Sequence, residues 1–320
     1  MISVDRFNSI SNAFKGKKIL IIGDLMLDRY YFGQSNRMSP EAPVPVVDVE
    51  EIRDNPGGAS NVALNLSSLG ALPILCGVVG EDSNGEKLLS SLNKHKISAD
   101  TLIYDKSRPT TVKSRIISKD HQILRMDFEH TNDISSEISS KVVDCITDSI
   151  SDIDGVILQD YNKGLLNNQN IEKIISIAGD NQIPVYVDPK HKNFSSYRNV
   201  KLFKPNQSEF YSYMSNELDL ETAGFLLANQ IECDVLMITR SSEGISLFYD
   251  SKHHHIPTKA RTIHDVSGAG DTVISVYSLC EISGANPLES ASIANFAAGR
   301  VCELVGVTPI TMAQLQDFTT

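Results

Sequence analysis

The chain has 320 residues, 40 of them acidic and 29 basic, for a net charge of −11. That excess excludes a general nucleic-acid binder, which needs a basic face. No apolar run reaches the ~18 residues of a membrane span, and 41% hydrophobic with 22% charged residues describes an ordinary globular chain. The polar start, MISVDRFNSISNAFKGKK, has no apolar stretch like that of a secretory signal, so a cytoplasmic protein is expected. In chain order, KILIIGD at residues 18–24 reads as a buried parallel strand, and short apolar runs follow at 72–79, 155–158, 184–187 and 235–238. Helix-period segments lie between most of them, at 61–69, 86–92, 141–150, 171–178 and 220–228. This alternation predicts a doubly wound, mostly parallel sheet, with ligands outside the carboxyl ends of the strands. Asp24, Asp160, Asp188 and Thr239 fall at those ends.

Two segments break the alternation, residues 29–52 and 110–128. Both have period-two stretches and several charges, and read as antiparallel strands forming a small β lid over the edge of the site. The expected architecture is one domain over residues 1–320 with that lid. Cys76, Cys145, Cys233, Cys280 and Cys302 are scattered and form no C-x-x-C pair, which reads as reduced thiols. His253, His254 and His255 would alternate faces on a strand and cannot easily converge on one metal.

Three motifs carry chemistry. Asp265-Val266-Ser267-Gly268-Ala269-Gly270-Asp271 precedes a helical pattern. Glycines at a helix start leave N–H groups open to an anion, and Asp271 beside them suits a general base; a plain glycine turn with a capping Asp fits equally well. Asn55-Pro56-Gly57-Gly58-Ala59-Ser60-Asn61 allows close backbone approach and offers an amide suited to sugar hydroxyls, or simply makes a turn and cap. Asn206 and Glu209 open another helix, where they suit a hydrated Mg²⁺ or a capping box, and the two readings can coexist. No Walker P-loop and no G-x-G-x-x-G after the first strand is present.

In order and spacing, Gly-Gly-x-x-Asn, Asn-x-x-Glu and Gly-Ala-Gly-Asp resemble the ribokinase or PfkB family of carbohydrate kinases over essentially the whole chain. The resemblance implies a ribokinase-like three-layer α/β/α sandwich with a β lid, ATP as co-substrate, Mg²⁺ and often a monovalent cation, here near Asp265. The stretches SPEAPVPVV, QDYNKGLL and HDVSGAGDTV are similar to the heptose 7-phosphate kinase branch of ADP-heptose and lipopolysaccharide-core precursor synthesis. With the chain ending at Thr320, a stand-alone kinase is expected. By resemblance Asp271 is the base, with Gly268, Ala269 and Gly270 as the anion hole. Asp28, Gly57, Gly58 and Asn61 contact the sugar, and Asn206 and Glu209 organise Mg-ATP, holding the metal through water. Thr239, Ser241 and Asn295 line the nucleotide pocket. Gln207, Ser267 and His191 depart from the branch's usual residues.

A phosphorylated sugar needs local cations in so acidic a chain. Lys113, Arg115 and Arg125 on the lid, and Lys163 and Lys190 at strand ends, are the candidates. Exposed lid edges with Val44, Val46 and Ile52 lead to the expectation of a homodimer through the lid, with no nucleic-acid or membrane partner. The rival readings are a PfkB-type kinase for a different sugar phosphate or nucleoside, and a non-catalytic sugar- or nucleotide-binding module.

Overall fold

The computed structural model describes residues 2–119, 121–214, 217–258, 263–304 and 306–319. The strands are β1 (Lys18–Gly23), β2 (Leu25–Met38), β3 (Pro45–Gly58), β4 (Leu72–Gly80), β5 (Leu102–Asp105), β6 (Val112–Ser118) and β7 (His121–Phe128). They continue with β8 (Gly155–Gln159), β9 (Val185–Asp188), β10 (Leu202–Phe203), β11 (Val235–Thr239), β12 (Ile245–Tyr249) and β13 (Lys252–Ile256). The helices are α1 (Val4–Asn12), α2 (Ala59–Ser68), α3 (Ser83–Lys94), α4 (Ser136–Ser149) and α5 (Asn168–Asp180). Then come α6 (Gln207–Tyr213), α7 (Leu220–Ile231), α8 (Ala269–Ile282), α9 (Pro287–Cys302) and α10 (Met312–Gln316).

Among the described residues nine strands form the main sheet, in the order β13-β12-β11-β10-β9-β8-β1-β4-β5. The pairs from β11 through to β5 are parallel, and β12 and β13 complete one edge as antiparallel strands. Alternation along β1 separates two cores. Ile19 and Ile21 pack with α2, α8 and α9 on one face, while Leu20 and Ile22 pack with α4, α5 and α7 on the other. These two apolar layers make the three-layer α/β/α sandwich, each buried Ile or Leu contributing ~1.5–3 kcal/mol. Chain order reverses at β1, whose neighbours are β4 and β8, so a crevice opens beyond the carboxyl ends of β1 and β8.

The expected strands and helices occur close to their expected positions. The polar N-terminus adds α1, capped by the Ser3 hydroxyl, with Phe7 and Ile10 buried. The second sheet runs β3-β2-β6-β7. The pairs β2–β3 and β6–β7 are antiparallel, as expected, while β2 and β6 pair in parallel, joined by a long crossover through β3, α2, β4, α3 and β5. The strands also run deeper than expected. β2 begins buried at Leu25–Asp28 and becomes exposed toward Met38, with irregular register between Phe32 and Gly33. Asp120, within the expected lid segment, lies outside the described residues.

The histidine run forms edge strand β13. His253 stacks on Phe248 with centroids 4.5 Å apart, His254 stacks on Tyr249 at 5.0 Å, and the His255 ring meets the Glu243 carbonyl at 2.7 Å.

Candidate active site

Asp271 sits in the first turn of α8, whose next nine residues are all buried. Gly268, with φ +81°, caps the helix, and a Cβ there would stand 2.8 Å from Asn61 Nδ2. Only glycine gives both the left-handed turn and this approach. Three side chains donate to the Asp271 carboxylate. Asn61 Nδ2 reaches Oδ2 at 2.8 Å, while the Tyr161 hydroxyl and Gln159 Nε2 reach Oδ1 at 2.7 and 3.1 Å. Burial pushes the Asp271 carboxyl up to about 7; the Asn61 and Tyr161 donors oppose the rise, Asp188 adds to it and Lys204 opposes it. A base poised near neutrality suits proton removal from a hydroxyl.

The surrounding network is deeply buried. Gln159 Nε2 also reaches Asp188 Oδ2 at 3.0 Å, and Lys204 Nζ stands 3.0 Å from the same oxygen. Asp24 and Asp160 lie side by side at the ends of β1 and β8. Burial, then the charge of Asp160, raises Asp24 to about 6, against N–H bonds from Tyr161 and Lys163. Asp265 closes the glycine loop by accepting from Ser267 N–H at 2.8 Å and Gly306 N–H at 3.1 Å. The Ala269 N–H turns back to the Val266 carbonyl at 3.2 Å, so one of the three N–H groups expected to meet an anion is already engaged. A Cβ at Gly270 would lie 3.7 Å from Lys204 Nζ, an ordinary contact, so this turn of the backbone runs beside that cation.

The smaller sheet turns a charged face toward this crevice. Residues paired across strands share a face. One row is Asn55-Asp28-Lys113-Asp127 and the next is Arg53-Tyr30-Arg115-Arg125. Arg115 Nη1 binds Asp28 Oδ1 at 2.6 Å and feels the charge of Asp265, which orients this face toward the glycine loop. A Cβ at Gly57 would lie 2.0 Å from Asp28 Oδ2, so Asp28 requires glycine there. Gly58, with φ +59°, both ends β3 and caps α2. Asn61 is therefore in the site, but its amide is directed at Asp271.

The candidate cations all have carboxylate partners. Lys113 lies 3.6 Å from Asp127 and 3.7 Å from Glu129, and burial lowers its pKa. Lys163 lies 2.7 Å from Glu129, and Arg125 pairs with Asp127. Lys190 pairs with Glu209 and lies over the Tyr161 ring, 5.4 Å from its centroid.

On the other side of the crevice, Asn206 and Glu209 form a complete capping box at the start of α6. Thr239 bridges to Asn206 in parallel register. Ser241 is exposed, with φ +51°, and Asn295 holds the Pro257 carbonyl at 3.0 Å. Sequence reasoning missed Gln159, Tyr161, Lys204 and Arg53 as members of the site, and left Asp188 at a strand end without a role. The available signal was the polar run Gln159-Asp160-Tyr161 at the end of a wholly buried strand.

A family model described as pfkB family carbohydrate kinase matches residues 16–313. The chain is 39% identical over 311 residues to the bifunctional protein HldE of Haemophilus influenzae (strain PittEE), covering 96% of this chain and 64% of that protein. It is 40% identical over 289 residues to HldE of Helicobacter pylori (strain HPAG1), covering 89% and 62%. The chain thus spans less than two thirds of the length of these curated relatives. Among solved structures, phosphofructokinase-2 from Escherichia coli in complex with potassium matches with a TM-score of 0.80 at 17% identity, over 95% of this chain and 98% of that one. Ribokinase from Thermotoga maritima matches with a TM-score of 0.72 at 17% identity, over 94% and 99%. These structural likenesses show a ribokinase-like fold.

Proposed function

The chain belongs to the pfkB family of carbohydrate kinases, and from that premise we propose that it phosphorylates the anomeric C1 hydroxyl of D-glycero-β-D-manno-heptose 7-phosphate. The products are the 1,7-bisphosphate and ADP, in the cytoplasmic synthesis of ADP-heptose for the lipopolysaccharide inner core. The observation that carries this reading is the buried Asp271 carboxylate at the N-terminus of α8, facing a sheet surface with Arg53, Arg115 and Arg125 in one row.

In this reading Asp271 takes the C1 hydroxyl proton while that oxygen bonds to the γ-phosphorus of MgATP. The bond from phosphorus to the bridging oxygen breaks, and ADP leaves with its electron pair. The helix N-terminus and the N–H groups of Gly268 and Gly270 offset charge on the moving phosphoryl. The arginine row and Lys113 hold the C7 phosphate, exchanging their carboxylate partners for it. Asp28 and the Gly57–Gly58 turn hold the sugar.

Both carboxylate oxygens of Glu209 are engaged, one by Lys190 and one by the Asn206 N–H. With both oxygens engaged, Glu209 would meet a Mg²⁺ through the ion's waters rather than directly, and Lys190 would have to give way to it. Residues 259–262, which precede the Asp265 loop, lie outside the described residues, so no monovalent ion is assigned.

The smaller sheet acts as the lid, and its outward face is the dimer surface. Ile52, Tyr31, Ile116 and Leu124 form one row on that face, flanked by Met126 and Phe128, with Ile52 57% and Phe128 62% exposed. Light scattering over a range of concentrations should give a dimer, and deleting residues 31–50 should give a monomer without sugar binding. A concentration-independent monomer refutes this part of the reading.

Phosphorus NMR of the product from ATP and a panel of sugar phosphates tests the reaction. A new anomeric phosphate on the heptose 7-phosphate is expected. Turnover of a different sugar phosphate in its place would replace this assignment.

A further inference from the structure

The Asp271 carboxylate is held unevenly. Oδ1 receives two donors, Tyr161 and Gln159, while Oδ2 receives Asn61 alone among the described residues. A carboxylate has about four lone-pair directions, two on each oxygen. Oδ1 is therefore full, and Oδ2 keeps one direction free.

All three donors are rigidly mounted. Gln159 ends β8 and is 1% exposed, Tyr161 follows two residues later, and Asn61 lies in the first turn of α2. The Gln159 amide has only one workable orientation. Its Nε2 lies between Asp188 Oδ2 and Asp271 Oδ1, so a flipped amide would aim Oε1 at two carboxylates.

Resting on the reading of Asp271 as the base, we propose that Oδ2 is the atom that receives the substrate proton. Gln159 and Tyr161 are positioning residues that saturate Oδ1, fix the plane of the carboxylate and tune its basicity. Gln159 also ties Asp271 to Asp188, and through Asp188 to Lys204, so the base and the cation beside Gly270 move as one unit. Glutamate at position 159 would instead set a third carboxylate between two others.

The charged and titratable groups facing the base come from several elements. Asp188 is at the end of β9, Lys204 follows β10, and Tyr161 follows β8. Lys190 lies over the Tyr161 ring, and Asp28 of β2 acts on the Tyr161 phenol. Burial, then the Asp271 and Asp188 charges, raise Tyr161 well above its ordinary value, so it remains a donor throughout the working range.

Donors to a carboxylate favour its charged form. Removing one raises the pKa of the base, so the acid limb of activity moves to higher pH. The test compares wild type, Tyr161→Phe, Gln159→Met and Asp271→Asn by ADP release from MgATP and D-glycero-β-D-manno-heptose 7-phosphate across a wide pH range. Tyr161→Phe should move the acid limb of kcat up by about one pH unit, and Gln159→Met by less, with activity regained at high pH. The same ordering should appear in the pH dependence of the melting temperature, which needs no substrate and is independent of which sugar is correct.

Near-normal turnover by Asp271→Asn would remove the base reading itself. An inactive Asp271→Asn beside Tyr161→Phe and Gln159→Met variants that keep the wild-type acid limb would leave the base in place and overturn this proposal. If Gln159→Met fails to fold, Tyr161→Phe alone decides, since it removes a single hydroxyl.

Discussion

Lys201 and Lys204 stand at opposite ends of the two-residue strand β10, and their surroundings differ sharply. Lys201, at the amino end of the parallel sheet, pairs with Asp234 at 3.1 Å and Glu281 at 3.3 Å, with 31% of its side chain exposed. A groove of about 590 Å³ opens there, lined by Tyr186, Lys201, Asp234 and Glu281 among others. Lys204, at the carboxyl end, has 3% of its side chain exposed and binds Asp188 at 3.0 Å, within a closed network that includes Gln159 and Asp271. The amino end opens to solvent in a groove, whereas the carboxyl end holds the charges that are costly to bury. A solvated pair is worth ~0–1 kcal/mol, whereas breaking a buried pair costs ~3–5 kcal/mol. In this molecule the desolvated charges gather at the carboxyl end of the sheet.

Substitutions along this contrast should separate the two ends. Asp271→Asn should show the largest effect, a fall in kcat of about 10²–10⁴-fold. Its stability should move the other way. The folded carboxyl, at about 7, lies above its unfolded value, so the folded protein retains a proton that the unfolded chain has lost between those two values. The stability contribution of Asp271 therefore falls as pH rises through that interval and is lowest above it. Asp271→Asn should melt at or above the wild-type temperature, by a wider margin at about pH 8 than at about pH 5. A lower melting temperature at both would make Asp271 mainly a helix cap.

Lys204→Met comes next. It leaves Asp188 buried without its cation and should cost ~3–5 kcal/mol in denaturant unfolding, together with most of the activity. Arg115→Ala should raise the sugar-phosphate KM about 10- to 100-fold with little change in the KM for ATP. Arg125→Ala should do the same more weakly, because the Arg125 side chain is 44% exposed. Glu209→Gln should show the reverse pattern, disturbing MgATP use and sparing the sugar phosphate. An arginine variant that raised only the ATP KM would place that strand over the wrong substrate. Lys201→Met should be the mildest, under about 1 kcal/mol with unchanged kinetics. A kinetic defect there would mean that the amino-end groove communicates with the site.

Much of this molecule is readable from sequence because the parallel strands are continuous apolar runs. KILIIG and GVILQ have no other reading once helix-period segments alternate with them. The glycine loop and the capping box were also legible, since glycine before a helix and Asn three residues before Glu have local causes. Asn61 was legible as a member of the site, but its bond to Asp271 spans 210 positions in sequence. The Gln159, Tyr161 and Lys204 contacts were not legible for the same reason. Each is polar at or just after a strand end, as are Asp160 and Asp188, and only the order β10-β9-β8 brings them together near the start of α8. The pairing of β2 with β6 was equally hidden, because period two specifies a face but not a partner or a direction.

Gly58 belongs at once to the last pair of the β2–β3 ladder and to the cap of α2, so no slack chain separates the outer sheet from that helix. Its partner in that pair, Leu25, follows directly on Asp24 at the tip of β1. The hairpin is thus a lever clamped at both roots. From Gly58 the chain enters directly the first helical turn that carries Asn61, whose amide donates to Asp271 Oδ2. The outer sheet is therefore joined to the Asp271 carboxylate by an unbroken run of ladder, cap and helix.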